Sequence, residues 1–141
     1  MPELDLAAAR NMTDAVFQYA RQNGLQQAVA VVDEGGHTVL ISRMDGCSFL
    51  APDIAFGKAH ASAAFKLSSA DLAQRWKDNP GADVGIIGIA GHHIVPVQGA
   101  LPICDGGRCV GAIGASGGLP HQDEQAVRSG ITAAGFSDRP T

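Results

Sequence analysis

Ala28-Val-Ala-Val-Val-Asp-Glu-Gly-Gly-His-Thr-Val-Leu-Ile-Ser-Arg43 and Leu101-Pro-Ile-Cys-Asp-Gly-Gly-Arg-Cys-Val-Gly-Ala-Ile-Gly114 share one plan. Each is an apolar run, an Asp with a Gly-Gly turn, and a second apolar run. A tight primed hairpin needs positive φ at its central residues, and glycine adopts it without a Cβ penalty. Gly106 and Gly107 fill both central positions of the second turn. Helical patterns follow each hairpin, so two hairpins and their helices set the architecture.

Working outward, residues 3–23 read as an amphipathic helix, with Leu4, Ala8, Met12, Ala15, Val16 and Tyr19 at helical spacing and Gly24 as its stop. Strands are expected at 27–33 and 37–44. Helices follow over about 51–66 and from Ser68 or Ser69 to about Trp76, the serine acting as cap. Asp78-Asn-Pro-Gly81 breaks the chain. Residues 84–90 read as a weak strand, and His92-His93 as a turn. Strands near 94–104 and 108–115 form the second hairpin, and Pro120 opens a last helix to about Gly135. Asp123 and Glu124 suit its first turn, and Glu124 can pair with Arg128 one turn on. Hairpins alternating with helices, without βαβ spacing, predict an α+β fold: one domain over residues 1–141, with a central antiparallel sheet flanked by helices.

The chain has 141 residues, 45% hydrophobic and 17% charged, which is a globular composition. Its net charge is -4 and its ten Lys and Arg residues are scattered, so no electrostatic footprint for nucleic acid is present. No apolar run approaches the ~20 residues of a membrane span. The first residues lack the pattern of a signal peptide, and a cytoplasmic setting is the expectation. Cys104 and Cys109 flank the second turn as a cross-strand pair. Their geometry permits a disulfide, and two reduced thiols are the expectation for a cytosolic protein. Ligands for a zinc site are not evident.

Val32-Asp-Glu-Gly-Gly-His37, Arg43-Met-Asp-Gly46, the Lys58-Ala59 helix, and Gly111-Ala-Ile-Gly-Ala-Ser-Gly-Gly118 with Gln122-Asp-Glu124 resemble the GlcG/HbpS, or haem-degrading domain, family, which includes the carboxy-terminal domain of PduO-type proteins. The resemblance spans nearly the whole chain. It implies a profilin-like fold, a homo-oligomer, and haem as the leading ligand. Relatives encoded beside catabolic enzymes imply a second class of ligand, small organic acids. The chain departs from the family at Gln98-Gly-Ala-Leu-Pro102, where relatives carry Gly-Gly-Val-Pro, and at His60.

Candidate chemistry centres on Ile54-Ala-Phe-Gly-Lys-Ala-His-Ala-Ser-Ala-Ala-Phe-Lys66. Its small side chains let a sheet, a partner helix or a flat ligand approach closely. Lys58 and His60 sit on this otherwise apolar helix. His60 is the candidate haem-iron ligand, since a neutral imidazole ligates iron. Arg43 offers a planar fork for a carboxylate, and Asp45 could orient it. Arg43, Lys58, His60, Gly99, Ser116 and Glu124 are the candidate ligand-binding residues. In an enzymatic alternative, Lys58 or Arg43 clamps an organic acid while His60, with Asp45 or Glu124, moves protons for hydrolysis, hydration or tautomerisation. No nucleophile elbow or HExxH motif is present. His37 and His121 read as exposed or capping residues. Gly111, Gly114, Gly117 and Gly118 read as a backbone wall against which a ligand or the last helix packs.

Overall fold

The computed structural model describes residues 3–89 and 93–141. Helix α1 (Leu6–Gln22) starts at Asp5, whose carboxylate accepts a hydrogen bond from the Ala8 N–H at 2.8 Å. The expected helix therefore begins three residues late, where a side chain first satisfies its free amides. Strands β1 (Ala28–Asp33) and β2 (Thr38–Arg43) form the first hairpin. Asp33 accepts from the Gly35 and His37 amides, and Gly36 takes a φ of 81°. Helices α2 (Ala51–Phe65) and α3 (Ser69–Asp78) follow, with the Ser68 hydroxyl capping α3 at the Asp71 N–H.

The weak strand expected over 84–90 is instead helix α4 (Ala82–Ile87). Ala82 and Ile86, four residues apart, both pack on the Leu72, Trp76 and Ile94 cluster, a helical period that a short apolar run conceals. The strand expected from residue 94 starts later, as β3 (Ala100–Asp105). The Val95 N–H donates to the Gly57 carbonyl of α2 at 3.1 Å, so it is unavailable to a ladder. His92 lies outside the described residues. Strand β4 (Arg108–Ser116) and helix α5 (Pro120–Ala133) complete the chain.

The two hairpins join edge to edge in the order β2-β1-β4-β3, all neighbours antiparallel. Side chains alternate across the sheet. Val29 and Val31 of β1 and Ile113 and Ala115 of β4 join Met12, Val16, Val127 and Ile131 of α1 and α5 on one face. Ala30, Val32 and Ala112 meet Ala55, Ala59 and Ala63 of α2 on the other. A Cβ at Gly114 would lie 2.5 Å from the Ala55 carbonyl oxygen and 3.0 Å from the Ala59 nitrogen. The small residues of α2 thus let the helix backbone rest directly on the sheet. Among the described residues, no helix is long and apolar enough to cross a membrane.

Candidate functional site

Close packing of α2 on the sheet decides where Lys58 goes. The side chain reaches from α2 to the end of β4 and the start of α5 and is buried, with 3% of the residue exposed. Its ammonium donates to the Ala115 carbonyl at 3.0 Å and to Asp123 Oδ2 at 3.1 Å. Asp123, in the first turn of α5, is 2% exposed. Its other oxygen accepts from Gln27 Nε2 at 2.8 Å and from the Gly118 N–H at 2.9 Å. A buried charge is tolerable only when paired and hydrogen-bonded in this way. Gln27 Oε1 is buried without a hydrogen-bond partner among the described residues.

Gly99 belongs to this centre. It has a φ of 137°, and a Cβ there would stand 2.7 Å from Lys58 Nζ and 3.0 Å from the Asp123 Cβ. Gly99 is therefore the residue type that makes room for the ion pair. Ser116 ends β4 just beyond the Ala115 carbonyl and lines a hollow of about 670 Å³. Arg21, Cys47, Ser48, Leu50 and Ile54 line it too. Burial, the leading influence, pushes the Cys47 thiol above its ordinary value, against the Ser48 amide and the Arg43 charge.

His60 lies elsewhere. It is half-buried, with Nδ1 3.1 Å from the Gly36 carbonyl in the β1–β2 turn, and its ring stacks on Phe56 with centroids 5.4 Å apart. Lys58 points to α5 and His60 to the first hairpin turn, so the two candidate side chains of the helix diverge. Neither lines the 670 Å³ hollow beside Ser116. Arg43 and Asp45 are exposed at and after the end of β2. Glu124 is half-buried on α5, 3.6 Å from Arg128, beside a second hollow lined by Gln98, Arg128, Asp138 and Arg139. The structure thus brings Lys58 and Gly99 together and leaves Arg43, Asp45, His60 and Glu124 apart from them.

Two residues of the buried centre escaped the sequence reading. Asp123 reads as a helix-dipole residue, and Gln27 as the polar start of a strand. The available signal was Lys58 itself, since an ammonium on a helix with no polar face requires a carboxylate partner.

A smaller hollow of about 300 Å³ lies beside the start of α2. Leu50, Ile54, Ile87, Ile94 and Val95 give it apolar walls, and His93 and Asp53 are its polar members. Leu50 and Ile54 line both this hollow and the one beside Ser116. Phe49, next to Leu50 in the chain, is 82% exposed, and Val84 and Ile89 on either side of Ile87 are exposed too.

A four-stranded antiparallel sheet with two helices on one face and a small-residue helix pressed onto the other defines an α+β protein with ligand-sized hollows. The chain belongs to the family described as haem degrading protein HbpS-like, whose pattern matches residues 4–132. It is 33% identical over 121 residues to an uncharacterised 15.0 kDa protein of the dhaT–dhaS intergenic region of Citrobacter freundii, covering 85% of this chain and 84% of that one. A double mutant of HbpS from Streptomyces reticuli is similar in structure, with a TM-score of 0.84, 29% identity, and coverage of 96% of this chain and 89% of that one. The fold is shared as well with the PduOC protein, solved as a haem complex: TM-score 0.86, 24% identity, and coverage of 96% of this chain and 98% of that one. The family is thus haem-related.

Proposed function

We propose that this protein binds haem or a closely related tetrapyrrole, with the apolar hollow beside α2 as the seat of the ring and His93 as the iron ligand. One observation carries the reading: an imidazole stands in a hollow walled mainly by Leu50, Ile54, Ile87, Ile94 and Val95, with Asp53 as its other polar member. Haem asks for apolar walls and one strong donor. The hollow is at the small end of the range for ligand pockets. The exposed Phe49, Val84 and Ile89 supply the further apolar surface that a macrocycle needs. The family's description as haem-degrading supports the same ligand class. When bound, the iron would supply redox chemistry, while Leu50, Ile54, Ile87, Ile94 and Val95 would shield the ring and His93 would hold the iron.

His60, the iron ligand expected from the sequence, is the second imidazole in this proposal. A ring nitrogen held by a backbone carbonyl, as Nδ1 is by Gly36, is how many metal-binding imidazoles are oriented. His93, though exposed, is favoured over His60 because it lines the hollow that Leu50, Ile54, Ile87, Ile94 and Val95 help to wall. The organic-acid reading draws less support, because Lys58 would have to leave Asp123 before it could clamp a carboxylate. Self-association, implied by the resemblance, is part of the proposal and is read from the mass in solution.

Haemin titrated into the apoprotein tests the reading. A shifted Soret band is expected for the wild type and His60→Ala, with the ligand-dependent shift lost in His93→Ala. No spectral change in the wild type would overturn haem as the ligand. An unaltered spectrum in His93→Ala would remove His93 as the axial group.

A further inference from the structure

The turn of the second hairpin carries chemistry that the haem reading does not use. Cys104 and Cys109 are directly opposed in the β3–β4 ladder, one pair in from Asp105 and Arg108. Cys104 donates its N–H to the Ser137 carbonyl at 2.8 Å, and its own carbonyl accepts from the Ser137 N–H at 2.9 Å. In an antiparallel strand, both backbone groups of a residue project to the same side. Cys104 therefore turns its hydrogen-bonding edge away from Cys109, and the two form a non-hydrogen-bonded pair. Such pairs bring the Cα atoms closest, to about 4.5 Å, inside the range a disulfide accepts. The two sulfur atoms are in contact at 2.7 Å, both as free thiols. The ladder pairing itself brings the two together, next to a register shift between Ile103 and Cys104.

We propose that Cys104 and Cys109 are a thiol–disulfide exchange site that reacts with low-molecular-weight disulfides and closes to an intramolecular disulfide in the folded protein. Exposure sets the order of events. Cys104 is fully buried, while Cys109 is 8% exposed and is the sulfur a reagent meets first. Burial, followed by the hydrogen bond to Cys109, pushes the Cys104 thiol up to about 12, which disfavours it as the first thiol to attack. Cys109 gives up its proton and attacks one sulfur of the small disulfide. The S–S bond of the reagent breaks, a mixed disulfide forms on Cys109, and one small thiolate leaves and is protonated. Cys104 then gives up its proton and attacks the Cys109 sulfur, displacing the second small thiolate, which takes up that proton. Two protein thiols are oxidised to one disulfide, and one small disulfide is reduced to two thiols. The hairpin also holds the C-terminal segment, through Ser137 on Cys104 and the Thr141 N–H on the Gly106 carbonyl at 2.9 Å, so the bond would stiffen the strand on which that segment docks.

The test equilibrates the folded, pre-reduced protein with oxidised glutathione in excess over reduced glutathione, quenches with acid, and alkylates the remaining thiols in denaturant for peptide mass mapping. The expected result is a linked peptide pair carrying Cys104 and Cys109, an alkylated Cys47, and full reversal by dithiothreitol. Cys104→Ser, shown folded by circular dichroism, should accumulate glutathione on Cys109. Cys109→Ser should leave Cys104 unmodified. Three alkylatable thiols in the wild type would overturn the proposal. So would a disulfide that forms only after denaturant has unfolded the chain, or glutathione attached to Cys47 with the pair untouched.

Discussion

Replacing Lys58 with Met keeps an unbranched side chain of similar length and deletes only the ammonium. The Ala115 carbonyl and Asp123 Oδ2 then lose a donor each, at 3.0 and 3.1 Å, while the Asp123 charge stays buried with the Gln27 and Gly118 donors on its other oxygen. Leaving one partner of a buried ion pair uncompensated costs about 3–5 kcal/mol. Unfolding entropy of about 2.1 cal/mol/K per residue amounts to about 0.3 kcal/mol/K for a chain of 141 residues. Tm should therefore fall by about 10–17 °C. Denaturant titration by circular dichroism gives the free energy directly. In Lys58→Met/Asp123→Asn the charge is gone, and Asn retains one oxygen for Gln27 and Gly118. The double variant should accordingly be more stable than Lys58→Met alone. A loss below about 1 kcal/mol in Lys58→Met, or a double variant no better than the sum of its parts, would refute the argument that Lys58 is held as a structural charge.

Two further substitutions probe the same packing logic. Gly114→Ala should cost about 1–3 kcal/mol in denaturant unfolding, because its Cβ would meet the α2 backbone at Ala55. Gly85→Ala is its control: among the described residues nothing lies within 4 Å of the added Cβ, and in helix α4 the change should be neutral or stabilising. The Asp138 carboxyl gives a pH signature. Burial pushes it upward, but hydrogen bonds from Arg128 and Arg139 outweigh that and hold it below its ordinary value. A lowered folded-state value means its contribution is present above the ordinary carboxylate range and lost as pH falls through the folded-state value. Asp138→Asn should thus cost about 1 kcal/mol or less near neutrality, with the difference from the wild type vanishing in acid.

Much of the chain could be read without coordinates because local rules and tertiary packing agree there. The Asp and Gly-Gly turns, the Ser68 cap and the Glu124–Arg128 spacing each act over five residues or fewer, and each appears where the pattern puts it. Where the reading missed, the deciding contact lies farther off. Helix α4 follows from Ala82 and Ile86 packing on Trp76 and Ile94. The late start of β3 follows from an amide spent on Gly57. Of the site residues, Lys58 and Gly99 meet only because α2 and the segment before β3 converge on α5.

From the residues in order come two hairpins, their helices, the antiparallel sheet and the family, since turns and side-chain periods are local properties of a chain. The partner of Lys58, the separate direction of His60, the hollow around His93 and the contact between Cys104 and Cys109 belong to the folded state. Asp123 is 65 residues from Lys58, and no local pattern says which of the 14 acidic residues will be carried to a buried ammonium. Helix packing on a two-sided sheet makes that selection, because only there does a charge have to find its counterpart away from water.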